Sequence, residues 1–191
     1  MKLIKSAVAA LAATSFAGIA QAQDGQNKDS GAYVAIGASV YVTDPSPTFN
    51  VDLFTADLKL GYNFNKNFGV EAQGSVGLNT DSFDVLFNED DPETASLENR
   101  VDYSVAAFGV ARLPLTEQFS VFARGGVHNT QVSRELITSD EVFDTSQTKT
   151  GIAVGAGAQF NVDERNGIRA DYTYLDGTNG GTLSLGYVRK F

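Results

Sequence analysis

The 191-residue chain has no cysteine, no tryptophan, one methionine, one histidine and four prolines. Without cysteine, neither disulfides nor thiolate metal sites contribute to its stability. Basic residues are scarce too, 14 Lys and Arg against 23 Asp and Glu for a net charge of −9, so nucleic acid is not an expected partner. Long hydrophobic runs are also missing. Past the N-terminus no segment approaches the ~18 consecutive apolar residues of a membrane helix, which excludes a helical inner-membrane protein. What the chain has instead is 19 glycines and 13 phenylalanines, a composition that disfavours helices and suits strands, bulges and tight turns.

The first 22 residues combine basic Lys2 and Lys5, an apolar stretch from Ser6 to Ala20, and small residues at Ala20 and Ala22. This is the layout of a secretory signal peptide cleaved after Ala22. The stretch is too short and too rich in alanine to serve as a spanning helix. Removing 22 of the 191 residues leaves 169, with 12 basic and 23 acidic groups, or −11. One domain is expected at that size: a signal peptide over 1–22, a polar stub over 23–30 and a folded domain over 31–191. An exported chain ends in the periplasm, the outer membrane or the medium.

From residue 31 onward the hydrophobic pattern has a period of two. Ala32, Val34, Ile36, Ala38, Val40 and Val42 alternate with Tyr33, Ala35, Gly37, Ser39 and Tyr41. Phe54, Ala56, Leu58, Leu60 and Tyr62 alternate with Thr55, Asp57, Lys59 and Gly61. The alternation recurs over 70–78, 102–113, 121–128, 151–160, 168–174 and 183–191, with Phe108 and Val110 intruding on the polar parity. Each stretch suits the ~9–11 residues that cross a membrane as a tilted strand. The connections alternate in length, short at 63–67, 114–118 and 161–166 and long at 79–100 and 129–148, with 43–50 and 175–181 intermediate. The pattern predicts an all-β, antiparallel up-and-down transmembrane barrel of about eight strands, with short periplasmic turns and outward-facing loops.

Alternation alone would also fit a soluble barrel with an apolar interior. The composition of the two faces decides. The polar parity is rich in Gly, Ala and Ser and carries few charges per strand, whereas a water-exposed face would carry more Lys, Glu, Asp and Thr. On the apolar parity Tyr62, Phe64, Phe68, Phe119, Phe160 and Phe191 stand beside short turns or the C-terminus, and Phe54, Tyr103 and Tyr174 near the opposite ends. That is the placement of two aromatic girdles around an aliphatic band. A one-residue slip would expose Lys59, Arg112, Arg124 and Arg169 to lipid at ~2–4 kcal/mol each near the midplane. The lumen is therefore expected to hold a polar cluster of Asp57, Lys59, Glu71, Arg112, Arg124, Arg169 and Asp171, nearly balanced in charge and gathered in the periplasmic half. An eight-stranded interior is only wide enough for side chains to fill, so the lumen should be closed.

The stretches Leu60-Gly61-Tyr62-Asn63-Phe64, Phe68-Gly69-Val70-Glu71-Ala72, Gly155-Ala156-Gly157-Ala158-Gln159-Phe160-Asn161 and Gly167-Ile168-Arg169-Ala170-Asp171-Tyr172-Thr173-Tyr174, in this order, resemble the small OmpA-like and OmpX-like outer-membrane barrels of the porin family. The likeness runs over nearly all of 31–191. It implies residence in the outer membrane of a Gram-negative bacterium, among its lipids and lipopolysaccharide. The ending Leu183-Ser184-Leu185-Gly186-Tyr187-Val188-Arg189-Lys190-Phe191 looks like the C-terminal signal read by the barrel assembly machinery, carried by Leu183, Leu185, Tyr187 and Phe191. Arg189 departs from that pattern, where an apolar residue is usual; near the membrane edge its head group can snorkel to the lipid headgroups. A further periplasmic domain, and with it a cell-wall tether, is not expected.

Catalysis is not expected. Acyl chemistry on lipid A, known among barrels of this size, needs a nucleophile beside a base, and His128 is followed by Asn129 and Thr130 rather than by the His-x-Ser of the deacylases. We read His128 as a strand-end or loop residue. The acidic run of Asp81, Asp84, Glu89, Asp90, Asp91, Glu93 and Glu98 has no EF-hand spacing and reads as a solvated charge run. No cofactor or metal is expected. The function that fits is a structural or interaction barrel whose acidic outer loops meet an extracellular ligand, ahead of a narrow passive pore and a lipid A-modifying enzyme.

Overall fold

The structure is a computed structural model that describes residues 30–43, 53–79, 81–86, 94–137, 142–178 and 180–191. The expected signal peptide and all of the stub before Ser30 lie outside the described residues. Among the described residues there are nine strands: β1 Gly31–Thr43, β2 Phe54–Asn63, β3 Phe68–Gly77, β4 Asp81–Leu86, β5 Thr94–Pro114, β6 Phe119–Ile137, β7 Val142–Asn161, β8 Asn166–Leu175 and β9 Gly180–Lys190. All pairings are antiparallel, in the order β3-β2-β1-β9-β8-β7-β6-β5-β4, and β3 also pairs with β5. With that pairing the sheet is a ring, in which the first strand in sequence, β1, is joined to the last, β9. β3 and β4 lie end to end along β5, with Val76 opposite Tyr103 and Asp81 opposite Asn99, so the wall is eight strands around.

The parity expected from the sequence is the parity of the wall. Ile36, Leu58, Leu60, Val105, Val127, Ile152, Val154, Leu183 and Leu185 face outward, while Tyr33, Ser39, Asp57, Glu71, Phe108, Arg124 and Asp171 face the lumen. All nine aromatic residues assigned to the two girdles are outward and exposed. On β7 the outward band runs from Phe160 to Ile152, ~26 Å along the strand and ~20 Å along the barrel axis at a ~40° tilt, near the ~25 Å apolar belt of this class.

Phe108 and Val110, which interrupt the polar parity in the sequence, are lumen core, packed with Phe122, Ala153 and Leu175. The small residues beside them create the space they fill. A Cβ on Gly61 would lie 2.1 Å from the Tyr33 ring, and one on Gly157 2.5 Å from the Phe122 ring. A narrow barrel can hold large side chains only where the neighbouring strand has none.

The long connections differ from expectation. Much of 79–100 and 129–148 is strand: β4, the first turns of the β5 ladder, and the last third of β6 paired with the start of β7, through Ile137 opposite Val142. These strands overrun the barrel rim as a sheet of their own. The reason they do not read as strands is solvation: Thr145, Ser146, Gln147, Thr148, Lys149 and Thr150 are all exposed, so neither face demands apolar residues and no period of two appears. A bulge between Val101 and Tyr103 shifts the β5–β6 register where the barrel gives way to this sheet.

Candidate functional site

Five of the seven charged residues assigned to the lumen meet in one network. Glu71 on β3 accepts from Arg124 Nη1 at 2.6 Å, from Arg169 Nη1 at 2.5 Å and from the Tyr33 hydroxyl at 2.6 Å. Asp171 on β8 accepts from Lys59 Nζ at 2.7 Å and pairs with Arg124 Nη2. Arg124 on β6 thus bridges the two carboxylates, and its guanidinium also donates to Gln73 Oε1 at 3.0 Å and to Thr173 Oγ1. The side chains of Glu71, Arg124 and Asp171 are fully inaccessible.

Three cations face two anions in this network, and the surplus positive charge is met by aromatic faces. Arg124 lies 4.5 Å from the centroid of the Phe108 ring and Arg169 4.0 Å from that of Phe122. A guanidinium over a ring gains ~2 kcal/mol or more where both are desolvated. The intrusive Phe108 therefore has an electrostatic function as well as a volume.

The other two residues lie apart. Arg112 stands toward the short-turn rim, donating to Asn63 Oδ1 at 3.0 Å and lying 5.8 Å from the Tyr33 ring. Asp57 is buried among hydroxyls: Ser39 donates to it, as do Thr55 at 3.2 Å and Ser184 at 3.4 Å, and Ser39 and Ser184 are 2.6 Å apart. Ser39 belongs to the first strand and Ser184 to the last, so this group spans the seam that closes the barrel. A gap beside it, lined in part by Gly37, Asp57, Lys59, Arg169 and Gly186, encloses about 10 Å³, room for about one water. Sequence reasoning on charge missed Tyr33, Gln73, Phe108, Phe122 and Thr173. Their inward parity was the available signal.

His128 is not at a strand end. It lies within β6, 2% exposed, with Nδ1 3.0 Å from Thr130 Oγ1 and Nε2 3.0 Å from the Asp176 carbonyl oxygen. Ser104 Oγ is 2.8 Å from the same threonine hydroxyl. The hydroxyl–imidazole pairing resembles a nucleophile with its base, but Thr130 is wholly buried. The group instead ties β5 and β6 to the β8–β9 turn. Leu183, Leu185, Tyr187 and Phe191 all face outward on β9 and its end, as does Arg189.

The model of the outer membrane protein beta-barrel domain family matches residues 8–191 of the chain. No curated protein matches the sequence. Among solved structures, Ail, the attachment invasion locus protein of Yersinia pestis, in complex with the heparin analogue sucrose octasulfate, is similar with a TM-score of 0.58 and 24% identity over 85% of this chain and 99% of that one. The N-terminal β-barrel domain of Pseudomonas aeruginosa OprF gives a TM-score of 0.57 at 14% identity over 87% of this chain and all of that domain. Neisserial surface protein A gives 0.54 at 18% identity over 88% of this chain and 100% of that one.

Proposed function

The chain belongs to the outer membrane protein beta-barrel domain family, and we propose that within the outer membrane it is a non-conducting, non-catalytic interaction barrel. The lumen network is a structural plug, and contact with the outside is made by the strands that overrun the rim. The observation that carries this reading is the fully buried pairing of Glu71, Arg124 and Asp171, which supports a lumen filled by side chains rather than water. The outward band meets membrane lipid and lipopolysaccharide. Leu183, Leu185, Tyr187 and Phe191 form the edge offered to the barrel assembly machinery. The complex with a heparin analogue is a property of Ail; here the acidic overrunning segments favour a cationic ligand over a sulfated one.

Planar-bilayer recording of the purified protein tests the plug. The expected result is no steady current; a stable ohmic conductance would promote the narrow pore.

A further inference from the structure

The polar lumen falls into two groups, the ion-pair network around Glu71 and Asp171 and the hydroxyls around Asp57, and among the described residues no direct bond joins them. The gap beside Asp57 lies where they meet. It is lined by Asp57 from one group and by Lys59 and Arg169 from the other. Its wall is Ala35 and Gly37 of β1 and Gly186 of β9, with Gly37 opposite Gly186, so that nothing larger than a methyl group comes from the seam.

Four buried side-chain atoms of the described residues find no hydrogen-bond partner in the chain, and Arg169 Nε is the one whose residue lines this gap. Both terminal nitrogens of Arg169 are spent on Glu71, and Asp171 Oδ2 lies 3.7 Å from Nε, beyond hydrogen-bond reach. Arg169 is 1% exposed, so bulk water does not serve it. Lys59 Nζ has three N–H groups, and its only acceptor among the described residues is Asp171, whose two oxygens take at most two of them. Asp57 offers the complement. An ionised carboxylate has about four lone-pair sites, and Ser39, Thr55 and Ser184 fill three of those on Asp57.

Two donors without acceptors and one acceptor with a free site thus surround about 10 Å³, and a buried water makes about three bonds to groups that are otherwise unsatisfied. A halide would take the same two donors, but it would lie against the Asp57 carboxylate as a like charge. Charge therefore selects the neutral ligand.

We propose that this gap is a binding site for a single ordered water, which accepts from Arg169 Nε and Lys59 Nζ and donates to Asp57. The inference rests on the filled-lumen reading and adds a ligand to it. Through that water the hydroxyl group at the β1–β9 seam and the ion-pair network become one connected set. Held three ways, the water exchanges slowly with the bulk, unlike the hydration of an open pore.

The test uses the full chain carrying isotope-labelled arginine, reconstituted in phosphatidylcholine nanodiscs and observed by NMR at the arginine Nε–H groups. The expected result is a cross-peak between Arg169 and water that persists when chemical exchange is filtered out and has the sign of a held water. None is expected at Arg124, whose Nε donates to Thr173. Ala35→Val adds bulk at the gap and should abolish the cross-peak in a barrel that keeps its heat-modifiable mobility, whereas Asp57→Asn keeps an acceptor and should retain it. Absence of the cross-peak in the unchanged protein would overturn the proposal, a result that needs no variant to fold. So would its survival in folded Ala35→Val, or an anomalous peak at the gap in crystals soaked in bromide. Water cross-peaks at Arg124 as well as Arg169, together with steady conductance, would refute the filled lumen and this site with it. A silent barrel that lacks the Arg169 cross-peak refutes this site alone.

Discussion

At the scale of single residues, the lumen separates two kinds of buried carboxylate. Glu71 holds two guanidinium groups and a phenol, so its removal strands Arg124 and Arg169 in a dry interior beside one remaining acid. Breaking such a pair costs about 3–5 kcal/mol, because the orphaned charge keeps its desolvation penalty. Glu71→Ala and Arg124→Ala should each lose that much in reversible urea unfolding from lipid vesicles. Asp57 accepts from the hydroxyls of Ser39, Thr55 and Ser184 and, among the described residues, has no ion-pair partner, and hydroxyls can rotate to donate or accept. Asp57→Asn should therefore cost about 1 kcal/mol, the net worth of a hydrogen bond. Equal, small losses in all three variants would mean that water screens the network and that the plug reading fails.

At the scale of elements, the three short turns are built alike. In each, the side chain of the second turn residue caps two backbone amides: Asn65 Oδ1 takes those of Asn67 and Phe68 at 2.8 and 2.9 Å, Thr116 Oγ1 those of Gln118 and Phe119 at 3.2 and 2.9 Å, and Asp163 Oδ1 those of Arg165 and Asn166 at 2.8 and 2.7 Å. Asp163 is the one cap of the three that titrates. The Asn166 side-chain amide and the two backbone amides hold its carboxyl below the ordinary aspartate range. A lowered folded-state value gives a contribution that is complete above the unfolded range, about 4, and is lost as pH falls through the lowered value. Amide exchange at Arg165 and Asn166 should accelerate on acidification beyond the intrinsic rate, whereas the Asn65-capped amides should not. Asp163→Asn should abolish that difference, and persistence of it would remove Asp163 as the cause. These turns were legible in the sequence within a residue, because cap chemistry is local and the flanking strands end where lipid ends. The overrunning strands were not, because sequence periodicity records a difference between two environments, and Thr145 to Thr150 has water on both sides. For the same reason the charges of the lumen could be placed on a face but not paired: parity says that Arg124 points inward, while only the barrel's curvature brings it to Asp171 on β8.

At the scale of the whole molecule, a barrel differs from an open sheet by one seam, and here that seam joins the first strand to the last. β1 and β9 are in register with Ser39 opposite Ser184, whose hydroxyls are 2.6 Å apart beneath Asp57 and separated by 145 residues of chain. Directly opposed residues of an antiparallel pair have the Cα spacing that a disulfide accepts, about 4.5–5.5 Å. The natural chain has no cysteine, so a Ser39→Cys, Ser184→Cys variant has one disulfide available to it. We expect that bond to form on oxidation of the folded barrel and to close nearly the whole domain into a ring. In the chain-entropy account a loop of that length is worth about 5 kcal/mol, less the ~1 kcal/mol of the lost hydroxyl contact. The oxidised variant should need more urea to unfold than its reduced form, with the difference erased by reductant. Pairing Ser39→Cys with Thr182→Cys instead tests a register slipped by two residues, the smallest slip that keeps every side chain on its own face. Crosslinking of that pair, with none at Ser184, would mean that the seam closes elsewhere and that the Asp57 hydroxyl group does not span it.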